Sequence, residues 1–351
     1  MLDDHSSLFR AFATRRRCTF ALVFAFVAAL TVVPFALGGG AAPKAPSAAK
    51  IVIRVSSEAP IDVDPLPTAV YWQKLVKKAT GGRVEVKIFA SGQLFDDTAA
   101  LDAVASGQLE MALPTTSRIT GYAPDFAILD LPFVLPSASI FQAKVQGKLG
   151  QALNDKLMKK APMSVLAYWA GGAIVFLNNQ GELTKPSQWK GKKIRIFGGA
   201  VFEATVKAVG GTPILIPASQ VATAMQTGTV NAAITNWDGW KAVFSDIVDY
   251  GMDPGAWQLA FGAVVSTKFW NGLPADIRAT LTKTLKQATD YDWKVHGKIE
   301  ADAIAALKKL GKHPYVISAA DQKEWTVATE TVRKAYGKKI DPAIFALALA
   351  K

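Results

Sequence analysis

Cysteine and histidine are nearly absent from this chain of 351 residues, which has one cysteine and three histidines. Because Cys18 lies near the N-terminus, the rest of the chain has no disulfide, no thiolate nucleophile and no cysteine-based metal site. His5, His296 and His313 do not have the spacing of zinc ligands. The sequence therefore predicts no metal site and no other cofactor.

Catalytic and nucleic-acid-binding motifs are also missing. The chain has no nucleophile elbow, no P-loop and no glycine-rich dinucleotide fingerprint after a strand. Its 40 Lys and Arg outnumber its 28 Asp and Glu, but the lysines form pairs such as Lys159-Lys160 and not tracts. Dispersed charge of this kind is typical of a solvated surface. We expect neither an enzyme nor a nucleic-acid-binding protein.

The one long uncharged run lies at the N-terminus. Arg15, Arg16 and Arg17 precede 20 uncharged residues at 18–37, and small residues follow up to 49. This pattern predicts a cleaved export signal over 1–49 and a periplasmic mature protein. Since the run is just long enough to span a bilayer, a retained membrane anchor is the alternative.

Two stretches of the chain repeat the order strand, helix, strand, helix, strand. In the first stretch we predict strands at 51–55, 84–89 and 109–113 and helices at 68–79 and 98–105. In the second we predict strands at 193–196, 213–216 and 230–234 and helices at 202–209 and 219–226. The repeat indicates an α/β protein with two lobes, each a mostly parallel sheet with flanking helices.

An uninterrupted helical pattern at 274–310 is too long for one lobe and predicts a helix that spans both. A strand at 165–169 leads to Gly171-Gly172, a candidate hinge or crossing point. A final helix is predicted at 321–336, followed by a short tail at 341–351. We expect lobe 1 to comprise 50–172 and 261–300, and lobe 2 to comprise 173–260 and 301–351.

A cation and a polar strand tip are the main candidates for ligand contacts. Arg195 lies between Ile194 and Ile196 in a predicted strand, and Asn236 follows a buried strand. Ligands of parallel sheets bind beyond the carboxyl ends of the strands, and arginine offers a planar fork to a carboxylate. These residues predict a receptor for a small anion in a cleft between the lobes.

Other polar or aromatic residues at predicted strand ends are weaker candidates for the same cleft. Ordinary packing or turn formation is the alternative for each of them. The further candidate ligand-binding residues are Trp237, Trp169, Tyr168, Trp257, Thr115, Thr116, Ser56 and Glu58.

Several segments, in order, resemble the extracytoplasmic solute-binding subunits of TRAP transporters, called the DctP type. They are Ser91-Gly-Gln-Leu94, Ala105-Ser-Gly-Gln-Leu-Glu-Met-Ala112, Leu131-Pro-Phe133, Trp189-Lys-Gly-Lys-Lys-Ile-Arg195, Met225-Gln-Thr-Gly-Thr-Val-Asn231 and Phe269-Trp-Asn-Gly-Leu-Pro274. The resemblance implies a periplasmic-binding-protein-like (type II-like) fold and no catalysis. It also implies an organic-acid ligand, a carboxylate clamp at Arg195 and delivery to TRAP membrane permease subunits.

The chain departs from that family at charged positions. A second arginine is missing from Gly171-Gly-Ala-Ile-Val-Phe176, a common glutamate is Gln220, and Thr235-Asn-Trp-Asp238 replaces a Gln-Glu-Asn pattern. Fewer charges favour a monocarboxylate over a dicarboxylate. The alternative is a receptor of the same architecture in another uptake or sensing system, with a sulfonate or other anion as ligand. Some members bind a metal ion with their acid, and Glu58, Asp238 and Gln258 leave this open.

Overall fold

The computed structural model describes residues 50–350, so the predicted export signal at 1–49 lies outside the described residues. Residues 48–351 form a compact unit of their own. None of the described helices is both long enough and apolar enough to cross a membrane.

The strands follow the predicted order but differ in length and include additional members. They are β1 (Ile51–Ser56), β2 (Val84–Phe89), β3 (Met111–Ala112), β4 (Met163–Asn178), β5 (Lys193–Ile196), β6 (Thr212–Leu215), β7 (Ala232–Asn236), β8 (Tyr250–Asp253), β9 (Gln258–Ser266) and β10 (His313–Val316).

The helices cover both faces of the strands. They are α1 (Leu66–Ala79), α2 (Asp97–Ser106), α3 (Thr116–Ile119), α4 (Ala138–Val145), α5 (Lys148–Lys160), α6 (Ala200–Ala208), α7 (Val221–Gln226), α8 (Trp237–Gly239), α9 (Thr267–Gly272), α10 (Ala275–Lys309), α11 (Ala319–Ala328), α12 (Glu330–Gly337) and α13 (Pro342–Leu349). Shorter 3-10 turns occupy Pro124–Asp130, Pro186–Trp189 and Ala218–Gln220, and a π turn occupies Trp240–Phe244.

The strands form two lobes, as predicted. Lobe 1 has the order β2-β1-β3-β9-β4, and lobe 2 has the order β4-β7-β5-β6, with β8 paired to β4 and β10 paired to β8. The β1–β2, β1–β3, β5–β6 and β5–β7 pairs are parallel, whereas β4 and β9 run antiparallel to their neighbours. The two-lobe α/β fold is confirmed, and each sheet is mixed because β4 and β9 return the chain between the lobes.

Strand β4 is the main connection between the lobes. Its first part pairs with β9 in lobe 1, and Ile174–Asn178 pairs with β7 in lobe 2. The strand does not end at Gly171-Gly172, as the sequence pattern suggested. Instead the register shifts between Ala170 and Gly172, and Gly172 adopts a positive φ of 81° that favours glycine. The glycine pair is a bulge within a continuous crossing strand.

Helix α10 is the second connection, and its 35 residues span about 50 Å. Its first half packs Ile277, Leu281 and Leu285 into the core of lobe 1. Its second half packs Ala303 and Leu307 into the core of lobe 2. The predicted long helix is confirmed, with bounds one residue inside those expected at each end.

The C-terminal segment packs differently from the predicted boundary. Trp325 of α11 lies in a lobe 2 core, but Val332, Ile340 and Ile344 lie in a lobe 1 core. The expected helix at 321–336 is interrupted at Thr329, whose hydroxyl donates to the Trp325 carbonyl. The expected tail forms helix α13 because its apolar residues cover lobe 1.

Candidate functional site

A cavity of about 80 Å³ lies between the lobes, beyond the carboxyl ends of β1, β3, β5 and β7. This volume is several times the roughly 10–15 Å³ that one water needs, so the cavity has room for a small solute. Its polar lining residues are Ser57, Glu58, Asp64, Asp97, Thr115, Arg195, Thr235 and Asn236. Its remaining lining residues are Ala59, Pro60, Val63, Leu113, Phe197, Ala218, Gly239, Val243, Phe244, Leu259 and Phe261.

Arg195 is a buried cation on the lobe 2 wall, 4% exposed. Its Nε donates to the Ile216 carbonyl at 3.0 Å, and its Nη1 donates to the Ile234 carbonyl at 3.0 Å. These bonds fix the guanidinium at the ends of β6 and β7. Within residues 50–350, Nη2 has no hydrogen-bond acceptor, so this edge of the fork is free to bind an anion.

Burial and charge both act on this guanidinium. Burial lowers the pKa of Arg195 to about 10, while Glu58 and Asp97 act to raise it and Arg118 acts to lower it. Arg195 therefore stays cationic at neutral pH, and a buried anionic partner would offset the desolvation that it suffers.

Glu58 links the two walls. Its Oε1 accepts the backbone N–H of Asp97 at 2.9 Å in lobe 1, and its Oε2 accepts the backbone N–H of Ala218 at 3.3 Å in lobe 2. One carboxylate therefore bonds to the start of α2 and to the turn after β6. This pair of bonds holds the lobes together at the cavity.

Asp97 is a fully buried acid beside Glu58. Its Oδ2 accepts the backbone N–H of Thr115 at 3.4 Å, and it lines the cavity. Burial first, and then repulsion from Glu58, raise the pKa of Asp97 to about 7. At neutral pH this carboxyl group is close to its midpoint and can either donate a hydrogen bond or accept one.

Thr115 and Asn236 complete the polar wall. The Thr115 hydroxyl is buried and has no partner among the described residues. The Asn236 amide donates to the Gly171 carbonyl at 2.6 Å and accepts from the backbone N–H of Gly239 at 3.0 Å. Asn236 therefore ties the tip of β7 to the bulge of β4, and Thr115 offers an unused hydroxyl to the cavity.

Ser56 and Thr116 lie next to lining residues but not on the wall. The Ser56 hydroxyl donates to the Phe95 carbonyl at 3.2 Å, and Thr116 is buried as the first residue of α3. The neighbours Ser57 and Thr115 line the cavity in their place.

The four aromatic candidates pack in the cores and are not among the lining residues. Tyr168 and Trp169 cover opposite faces of β4, with hydrogen bonds to Gly150 and Thr289. The Trp257 indole donates to the Asp130 carbonyl at 2.8 Å, and Trp237 packs beside Trp240 in lobe 2. Each of these rings is therefore held in a core and not on the cavity wall.

Several lining residues were not among the predicted candidates. Asp97 follows the N-cap Asp96, and a pair of acids at a predicted helix start is the signal that could have revealed it. Phe197 follows the strand of Arg195, and the two contact at 5.9 Å from the guanidinium carbon to the ring centre. Leu259 and Phe261 lie on β9, the strand expected after Trp257, whose own residues the sequence pattern did not define.

No group of three or more His, Cys, Asp or Glu within residues 50–350 is arranged to hold a metal ion. Glu58 and Asp238, two residues that left a metal-assisted site open, both accept hydrogen bonds from protein groups. Glu58 accepts two backbone N–H groups, and Asp238 accepts from the Asp64 backbone and from Lys241.

Comparison with known proteins gives consistent matches over most of the chain. The family model DctP, bacterial extracellular solute-binding protein family 7, matches residues 63–339. The C4-dicarboxylate-binding periplasmic protein DctP of Rhodobacter capsulatus is 27% identical over 83% of this chain and 87% of its own length. The C4-dicarboxylate-binding protein DctB of Bacillus subtilis is 26% identical over 75% of each chain.

A solved structure matches equally well. It is a TRAP periplasmic solute-binding protein from Sulfurospirillum deleyianum with bound succinate. It is 26% identical and has a TM-score of 0.80, and the match covers 86% of this chain and 99% of that chain.

Proposed function

Because the chain belongs to the DctP family of bacterial extracellular solute-binding proteins, a family of receptors and not of enzymes, we propose that it binds a small monocarboxylate between its lobes. The free Nη2 edge of Arg195 carries this proposal. A carboxylate there forms a salt bridge with a cation that the protein otherwise leaves short of acceptors.

The other charges of the cavity favour one carboxylate over two. Among the charged lining residues of the described chain, Glu58, Asp64 and Asp97 are acidic and Arg195 is basic. A second carboxylate on the solute would meet acids or hydrocarbon and would lose its hydration without compensation. The relatives named for C4-dicarboxylates and the neighbour with succinate bind a second carboxylate, so we propose that this chain differs from them in solute class.

The apolar part of the lining indicates what the rest of the solute is. Val63, Val243, Phe244, Leu259 and Phe261 offer hydrocarbon contacts, whereas Thr115 and Asp97 offer hydrogen bonds. A short branched acid, with or without a polar group beside its carboxylate, matches both sets. The lobes close on it through Glu58, and closure depends on the greater affinity of the solute for the closed form.

Delivery follows from the family. We propose that the receptor is exported, acts in the periplasm, and passes its acid to the membrane subunits of a TRAP permease. These partners would recognise the closed form, in which residues of both lobes lie side by side.

A thermal-shift panel tests the proposed function on the compact unit 48–351. The panel contains acetate, 3-methylbutanoate, lactate, benzoate, succinate and methanesulfonate. A solute at about 100 times its dissociation constant adds roughly 2.7 kcal/mol to the stability, which raises the melting temperature by a few degrees. We expect a monocarboxylate to give the largest shift and Arg195→Ala to abolish it.

Lys193→Ala is the matched control, because Lys193 lies on the same strand with an exposed side chain. It should keep the full shift. A larger shift with succinate than with any monocarboxylate would contradict the proposed solute class. An equal shift in Arg195→Ala and the wild type would contradict the clamp.

A further inference from the structure

Behind the cavity, a cluster of buried ionisable groups lies where the two lobes join. It comprises Asp64 from the loop before α1, Asp292, His296 and Glu300 from α10, and Asp238 from α8. Asp64 is also part of the cavity lining, whereas His296 is not. The cluster therefore reaches from the wall of the solute site to the helix that spans both lobes.

His296 is the centre of this cluster. Its Nδ1 lies 3.3 Å from Asp64 Oδ2, and its Nε2 lies 4.0 Å from Glu300 Oε2. Both ring nitrogens and both Asp64 oxygens are buried without a well-aligned hydrogen bond to any described residue. Such a pair is held by charge, and a neutral imidazole would leave Asp64 buried and uncompensated.

Two of the remaining acids attach this centre to α1 and to β4. Asp292 accepts the Thr68 hydroxyl at 2.6 Å and the Ala170 N–H at 2.7 Å. Glu300 accepts the Ala173 N–H at 2.7 Å. These bonds lie on either side of the β4 bulge, where a Cβ on Gly172 would lie 2.4 Å from Glu300 and 2.6 Å from His296.

Lobe 2 reaches the cluster through Asp238. Its Oδ2 accepts the Asp64 backbone N–H at 3.4 Å, and its Oδ1 accepts from Lys241 at 3.4 Å. Lys241 is half exposed at one edge, so His296 is the one buried group of the cluster that can supply a positive charge at its centre. The position of Asp64 thus depends on His296 from one side and on lobe 2 from the other.

We propose that His296, as an imidazolium, is a positioning residue that holds Asp64 in the cavity wall and makes closure around the solute depend on protonation. Because the role concerns the solute cavity, it rests on the proposed function. His296 and Asp64 are not part of the Arg195 clamp. A neutral His296 would release Asp64 and loosen the junction between the lobes.

The direction of the pH effect follows from the surroundings. Burial alone would lower the pKa of His296, but Asp64, Glu300 and Asp292 together raise it above its ordinary value. A group with a raised pKa in the folded state stabilises that state below its unfolded pKa, and this contribution is lost as pH rises through the folded pKa. Burial, and to a smaller extent Asp64, also raise the pKa of Asp292 to about 7.

Imidazole NMR on the solute-free unit 48–351 tests the charge state. This unit contains two histidines, His296 and His313, and His313 is an exposed internal control stacked on Tyr250. We expect the His296 ring to titrate above the ordinary value of a histidine, and Asp64→Asn to lower its midpoint. A His296 ring that is neutral at pH 6, or unaffected by Asp64→Asn, overturns the proposal.

Binding of 3-methylbutanoate at pH 6 and pH 9, measured by calorimetry, tests the positioning role. We expect the wild type and His313→Asn to bind about tenfold more weakly at pH 9, which is roughly 1.4 kcal/mol. His296→Asn should bind weakly already at pH 6, and His296→Lys, which keeps the charge, should weaken less than the wild type at pH 9, because only the loss of the Asp97 proton then remains. Equal pH profiles in the wild type and His296→Asn overturn the role.

If 3-methylbutanoate does not bind the wild type, the proposed function fails for that solute, and small-angle scattering decides the inference separately. We then expect the radius of gyration of the solute-free wild type to increase from pH 6 to pH 9 and that of His296→Lys to stay constant. No increase in the wild type overturns the proposal.

Discussion

The two walls of the cavity hold opposite charges by opposite means. On the lobe 2 wall, backbone carbonyls of Ile216 and Ile234 fix the Arg195 guanidinium. On the lobe 1 wall, backbone N–H groups fix the carboxyl groups of Glu58 and Asp97. Main-chain groups therefore position the ionisable groups of both walls, and Glu58 also accepts the Ala218 N–H from the opposite wall.

Burial disfavours the charged form of the ionisable groups on both walls. It lowers the pKa of Arg195 to about 10 and raises the pKa of Asp97 to about 7. Because Asp97 reaches its midpoint near neutral pH while Arg195 stays charged, the cavity gains net positive character as pH falls. An acid solute is the partner that this imbalance favours.

The largest expected effect of a substitution is at Asp130, an acid of lobe 1 that lies outside the cavity. Burial raises the pKa of Asp130 to about 7, and its Oδ2 has no described partner. An acid with a raised folded pKa destabilises the fold progressively from its unfolded pKa up to its folded pKa. The difference between 3.8 and about 7 corresponds to at most about 4 kcal/mol above pH 7.

We therefore expect Asp130→Asn to unfold at higher urea concentration than the wild type at pH 8 and to differ little from it at pH 4. Urea unfolding at the two pH values measures this. Asp155→Asn, at an exposed position on α5, is the matched control and should follow the wild type at both. If Asp130→Asn loses as much stability between pH 4 and pH 8 as the wild type does, Asp130 is not the cause of that loss.

Asp97→Asn tests the lobe 1 wall itself. Removing this carboxylate removes the repulsion that a second solute carboxylate would meet. At pH 8 we expect the affinity for succinate relative to 3-methylbutanoate to rise about tenfold, or roughly 1.4 kcal/mol. Below pH 6 the wild-type Asp97 is itself protonated, so the two proteins should agree there.

Calorimetric titrations with both acids at pH 5.5 and pH 8 provide the measurement. Asp62→Asn carries the same change of charge at an exposed position and should leave the ratio unchanged. If the ratio stays constant in Asp97→Asn, repulsion from this residue does not select against dicarboxylates.

The fold was largely predictable because the hydrophobic periodicity that marks each strand or helix is a local property of the sequence. The strand at 193–196 matches β5 at both ends, and the long helix matches α10 within one residue. β4 was underestimated because a glycine pair usually ends a strand, whereas here a tertiary bulge accommodates it. The bounds of β9, the strand expected after Trp257, were not predicted because both its faces are buried, which removes the alternation that marks a strand.

The site was predictable on one wall and less so on the other. Arg195 was identifiable because a charged side chain between two isoleucines in a strand must point out of the core at the end of the strand. Arg195 does line the cavity. The lobe 1 groups Ser57, Asp64 and Asp97 lie in loops or at a helix start, whose positions depend on long-range contacts. The aromatic candidates lie in the cores because an aromatic ring near a strand end satisfies core packing equally well.

The smallest expected effect concerns the hydrocarbon lining. Val243 is half buried on the π turn and lines the cavity, and threonine has nearly its shape with one methyl replaced by a hydroxyl. If the solute tail contacts this side chain, Val243→Thr loses about 0.8 kcal/mol, the value of one buried methyl group, or about fourfold in affinity. Acetate, which has no tail to reach Val243, should bind the two proteins equally.

Val327→Thr, at a side chain that is 71% exposed, is the control and should leave the affinity for both acids unchanged. Calorimetry that finds the same loss for acetate and 3-methylbutanoate would place the effect in the stability of the closed form and not in contact with the solute.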